Sequence, residues 1–165
     1  MHLFFSVRLK FWLASFMVLW SLGARAAQAD WPLAPSHLDL VTPYGDLHVK
    51  PSEYIYESRL LINNADADPK IEGILNITYA FATRQAHAAL ISINNGNSRC
   101  PIAYRWVVLD KKGYKMSPEF GSCSPQIKVS STNRTLVVKT PNNEDPNKID
   151  TYSYDGKTVK RHTQR

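Results

Sequence analysis

From residue 31 onward, apolar and polar positions alternate with a period of two rather than three or four. In SEYIYESRLLI, Tyr54, Tyr56, Ser58, Leu60 and Ile62 fall on one side, and Glu53, Glu57 and Arg59 on the other. The same alternation recurs in ILNITYAFAT, HAALISI, AYRWVVLD, YKM, QIKVSS, TLVVKT, TYSYDG and KTVKRH. Val, Ile, Thr and Tyr dominate these runs, and Gly, Asn, Asp and Pro stand between them, as in strands joined by tight turns. Turn signals roughly every ten residues predict an all-β chain, an antiparallel sandwich or barrel-like meander of about eight to ten short strands. ATRQAHAAL (82–90) is the one helix candidate, because alanine favours a helix although its flanks favour strands.

Three hairpins follow from turn chemistry. Asp155-Gly156 and Asp110-Lys111-Lys112-Gly113 place glycine where positive φ is needed, and Asn133-Arg134 is a weaker example. In the second hairpin Asp110 faces Gly113, so facing residue numbers sum to 223. Carried outward, that register sets Cys100 opposite Cys123, and opposed side chains share a face at nearly the separation a disulfide spans. Pro101, Pro118 and Gly121 forbid a regular ladder over the whole distance, and a bulge at Gly113 would shift the count by one. AYRWVVLD is apolar on both faces, with Tyr104, Trp106 and Val108 on one and Ala103, Val107 and Leu109 on the other. It therefore reads as a strand covered on both sides.

The N-terminus changes the picture of charge and compartment. Arg8 and Lys10 precede an uncharged apolar run, Phe11–Leu22, which is followed by Ala27-Gln28-Ala29. That order predicts a cleaved signal peptide, residues 1–29, and the apolar run is too short for a spanning helix. The mature part is then one β domain, 30–165, of 136 residues, with no transmembrane segment. Three of the twenty Lys and Arg leave with the leader while all fourteen acids remain, so the net charge falls from +6 to +3. A nucleic-acid partner suggested by whole-chain basicity loses its footing. Export also sets the reading of the two cysteines, because disulfides persist in oxidising compartments. There is no C-x-x-C and no His or Cys pair at finger spacing, so no redox centre or metal site is expected.

Candidate chemistry is sparse. His37, His48, His87 and His162 are scattered. Asp46 and His48 would share a strand face, and Ser58 could complete a Ser-His-Asp arrangement, but no nucleophile-elbow sequence supports it. Glu53 and Glu57 read as a solvated face, and no glycine-rich phosphate loop or cofactor motif is present. Asn76-Ile77-Thr78 and Asn133-Arg134-Thr135 match the glycosylation sequon, which carries no weight behind a leader of bacterial form. The basic tail, with Lys157, Lys160, Arg161 and Arg165, could touch anionic envelope polymer or lipid headgroups, but a charged terminus of this kind more often reads as a solvated, frayed end. Tyr54 with Tyr56, Tyr104 with Trp106, and Tyr152 with Tyr154 are aromatic pairs at i and i+2. Such pairs form either a core layer or an exposed binding surface.

The motifs Cys100-Pro101-Ile102-Ala103-Tyr104, SPEFGSCS (117–124) and Tyr152-Ser153-Tyr154-Asp155-Gly156, after TPYGDL (42–47), resemble a group of small exported proteins of Gram-negative bacteria. The resemblance implies a disulfide-stapled β domain in the envelope and no catalytic residues. The expectation is a periplasmic or secreted, non-enzymatic binding or accessory protein, of inhibitor or immunity type, engaging another envelope protein. A small exported hydrolase or polysaccharide-binding protein is the alternative.

Overall fold

The computed structural model describes residues 31–132 and 135–165. The expected leader and the Asn133-Arg134 turn lie outside the described residues. Among the described residues the chain is all-β, with twelve strands and no helix. They are β1 (Asp39–Thr42), β2 (Gly45–Lys50), β3 (Ser58–Ile62), β4 (Ala65–Asp66), β5 (Glu72–Ala82) and β6 (Ala86–Asn94). Then come β7 (Ala103–Asp110), β8 (Gly113–Met116), β9 (Lys128–Thr132), β10 (Thr135–Pro141), β11 (Ile149–Tyr154) and β12 (Val159–Gln164). One sheet runs β1-β2-β3-β5-β6-β7-β8, with β4 attached to β3, and the other runs β12-β11-β10-β9. Every pairing is antiparallel, and all but that of β3 with β5 join strands adjacent in sequence.

The larger sheet curls on itself. His37 and Ile77 exchange backbone hydrogen bonds of 3.1 and 2.8 Å, which bring the start of the sheet back onto β5. The register of β5 on β6 slips between Ile77 and Tyr79, and an extra residue of this kind bends a strand. Thr78 sits at the slip, buried, and its hydroxyl donates to the Leu90 carbonyl at 3.0 Å. The concave face encloses a first core that includes Leu47, Val49, Leu60, Ile62, Ile91 and Val107. The opposite face of β6 and β7 packs on the smaller sheet, and there a second core gathers Leu90, Trp106, Ile127, Val138, Tyr152 and Tyr154. Strand β7 therefore serves two cores with alternate residues, Trp106 in one and Val107 in the other, as its two-sided apolar pattern requires.

Some local expectations are corrected. ATRQAHAAL is not a helix: Thr83 to Ala86 form the β5–β6 turn, closed by the Thr83 hydroxyl, which accepts the Ala86 N–H at 3.0 Å. The alanines that favour a helix in isolation are instead the small residues between packed layers, with Ala88 and Ala89 buried in the two cores. Tyr54 and Tyr56 do not lie on β3, which begins only at Ser58. The Tyr54 carbonyl accepts N–H groups from both Tyr56 and Glu57, which turns the chain before it can extend. The basic tail is not frayed, because residues 159–164 form β12, paired with β11 from Tyr154–Val159 to Ile149–Gln164.

Candidate functional site

The β7–β8 hairpin has the expected register, Asp110 facing Gly113 and Val107 facing Met116. Its turn is closed by the Asp110 carboxylate, which accepts the Lys112 N–H at 2.7 Å, and Gly113 takes φ of +120°. Further out the register slips by one, because Tyr104 bridges Phe120 and not Glu119. The step falls at buried Ser117, whose N–H donates to the Trp106 carbonyl and whose hydroxyl accepts the Trp106 N–H, each at 2.9 Å. Cys100 and Cys123 nevertheless meet and are joined as a disulfide, with Cα atoms 4.5 Å apart. The bridge ties the end of the β6–β7 loop to the middle of the return loop after β8. A disulfide fits an oxidising, non-cytoplasmic setting.

The clamped β6–β7 loop supports an exposed apolar tip. Asn94, Asn95 and Asn97 each accept the N–H two residues ahead, at 2.9, 3.0 and 3.0 Å, so the loop is braced by its own side chains. Gly96, at φ +83°, lies under the Tyr56 ring, and a Cβ there would come within 3.0 Å of ring carbon Cε2. Around that seat Tyr54 is 68 %, Ile55 69 % and Tyr56 42 % exposed, and Ile74, opposite Asn94 in the β5–β6 ladder, is 39 % exposed. Of the six aromatics read as core or surface, these two tyrosines are on the surface. Tyr104, Trp106, Tyr152 and Tyr154 are buried in the second core, where Phe120 packs 5.3 Å from Tyr152 and 6.3 Å from Tyr104 between ring centroids. Burial pushes the Tyr104 hydroxyl well above the usual phenol range, with the neighbouring Tyr79 adding to the rise.

A second cluster escaped the sequence reading. Asp150 is wholly buried on the inner face of the smaller sheet. Asn142 donates to both of its carboxylate oxygens, at 3.1 and 3.0 Å. Thr163 donates at 2.6 Å, Arg161 at 2.8 Å, and Ser122 also donates to it. Burial alone would raise this carboxyl, but hydrogen bonds from Ser122, Thr163, Arg161 and Asn142 outweigh it and hold it at about 2. So weak a base cannot activate Ser122, and the cluster contains no histidine. It ties the return loop, the β10–β11 loop and β12 together. The signal was present in IDTYSY: the alternation that turns Tyr152 and Tyr154 inward also turns Asp150 inward.

The sketched triad is not assembled. Asp46 and His48 do share a face of β2, but His48 pairs with Asp39 across β1 and faces Leu61 on β3. Ser58 instead faces Gly73 of β5. Glu53 and Glu57 are exposed in the tip loop. His37 bridges β5, His87 lies against Tyr44 with ring centroids 5.7 Å apart, and His162 is on β12. Among the described residues no three His, Cys, Asp or Glu gather where they could hold a metal ion. A cleft of about 430 Å³ opens between the sheets beside the β5–β6 turn, lined by Arg84, Gln85, Ala88, Val108, Leu136 and Tyr154 among others. Comparison with protein-family models, curated proteins and solved structures gives no match.

Proposed function

We propose that this chain is an exported, non-enzymatic binding protein of the bacterial envelope, periplasmic or secreted, that engages another protein through the Tyr54–Ile55–Tyr56 tip. The observation that carries the reading is the exposure of these three large apolar side chains on a loop seated against a braced, disulfide-clamped neighbour. Rigid aromatic side chains with one polar end are the usual anchors of protein interfaces, and a fixed seat lowers the entropy cost of ordering them. The partner is a protein offering an apolar pocket of aromatic size. The alternative, a hydrolase working through Asp46 and His48, is not favoured: the carboxylate that holds His48 is Asp39 and not Asp46, and Ser58, three residues along β3 from Leu61, points to the opposite face from His48.

A photo-crosslinking residue at position 55, in protein expressed with its leader, should capture one envelope protein, whereas the same residue at Lys111 should not. The captured protein, once purified, should bind the parent saturably and bind Tyr54→Ser/Ile55→Ser about thirtyfold more weakly, the scale of losing one anchor. Equal affinity for parent and variant would remove the tip from the interface.

A further inference from the structure

The outer face of the smaller sheet carries a concentration of positive charge that the tip does not explain. The ladders align Lys128 with Lys139, Lys139 with Thr151, and Thr151 with His162, one residue from each of four adjacent strands. At normal strand spacing this row spans about 14 Å. Directly opposed residues point to the same face, and the row alternates with the buried residues Val138, Thr140, Asp150 and Tyr152, so it points outward. Lys160 joins it two residues along β12 from His162. The four strands contain one acid, Asp150, and it points inward. Among the described residues Lys128, Lys139, Lys160 and His162 pair with no carboxylate, whereas Arg59, Lys70, Arg105 and Lys148 each do.

Two lysines directly opposed across strands repel one another and cost stability. Folding alone gives no reason to place Lys128 against Lys139 on a face without acids. The Lys128 ammonium also lies 5.3 Å from the centre of the Trp31 ring, which adds an aromatic plane at the end of the row. No exposed large apolar side chain belongs to β9–β12, so the face has no wedge to insert into a lipid surface.

We propose that this face binds a linear anionic polysaccharide, its acidic groups lying along the row from Lys128 to His162 and a sugar ring packing against Trp31. The site is separate from the tip and does not depend on it. Dextran sulfate is the probe, with neutral dextran and vesicles of phosphatidylglycerol and phosphatidylcholine as comparisons. The full disulfide-bonded protein should bind dextran sulfate with an affinity that falls as salt rises, bind the vesicles far more weakly, and leave neutral dextran unbound. Lys139→Glu should lower affinity for dextran sulfate about tenfold, while Lys111→Glu, the same change of charge in the β7–β8 turn, should stay within about twofold. Lys139→Glu also replaces the repulsion at Lys128 with an attraction, so its melting temperature should equal or exceed the parent's and lost binding cannot be blamed on misfolding. Tyr54→Ser should bind as the parent does. Equal losses in the two lysine variants, tighter binding to vesicles, or no binding to dextran sulfate in dilute buffer would each overturn the proposal.

Discussion

Asp150 shows how one side chain can fasten three segments. Its carboxyl is held at about 2 against an ordinary value of 3.8, so the folded state prefers the ionised form. A depressed carboxyl contributes stability that is complete above the ordinary value and is lost as pH falls through 3.8 toward 2. The difference corresponds to about 2 kcal/mol. Arg161 is 51 % exposed, so solvent screens the ion pair and the hydrogen bonds from Ser122, Asn142 and Thr163 carry most of the effect. Asp150→Asn should therefore lower the melting temperature by several degrees at neutral pH. The gap between variant and parent should narrow as pH falls below 4 and largely close near 2, read from melting temperatures across that range. A gap that stays constant into acid would show that shape, and not charge, is what position 150 supplies. The inward turn of Asp150 could be read from the alternation in IDTYSY, but its partners could not, because the donors at 122, 142, 161 and 163 share no local pattern with position 150.

At the scale of the element, the β7–β8 hairpin was largely legible, because a glycine turn and a period of two determine which residues face each other. Its outer part was only partly so: the slip at Ser117 lies where Pro118 prevents a continuous ladder, yet the cysteines still close. The strand expected at Tyr54 and Tyr56 failed for the opposite reason, since alternation marks burial and neither ring is buried. The closed loop of the disulfide corresponds to about 3 kcal/mol by restricting the unfolded chain. Reductant, or Cys100→Ala/Cys123→Ala, should lower the melting temperature by several degrees and by the same amount. Because Ser122 neighbours the bridge and donates to Asp150, the double alanine variant and Asp150→Asn should be less than additive when combined. Native protein whose two thiols alkylate freely, with an unchanged melting curve, would refute the clamp.

The molecule as a whole has two cores and one shared wall. Leu60 belongs to the first core and Trp106 to the second, and each is almost fully buried. Between them stand β6 and β7, whose alternate residues fill both sides, so neither core can be lost without stripping one face of the same two strands. A wall exposed on one side would present Leu90 and Trp106, or Ile91 and Val107, to water, and burying a large apolar side chain is worth roughly 1.5–3 kcal/mol each. An intermediate with one core intact is thus disfavoured by several such side chains, and the two sheets should unfold together. Leu60→Ala makes the case testable, because it opens a cavity costing roughly 2–5 kcal/mol in the core that lacks Trp106. Trp106 fluorescence, read in a Trp31→Phe background, and far-ultraviolet circular dichroism should report the same lowered melting temperature. If fluorescence keeps the parent's midpoint while dichroism falls, the smaller sheet holds Trp106 without help from the first core, and β6 and β7 are a junction between two independent units.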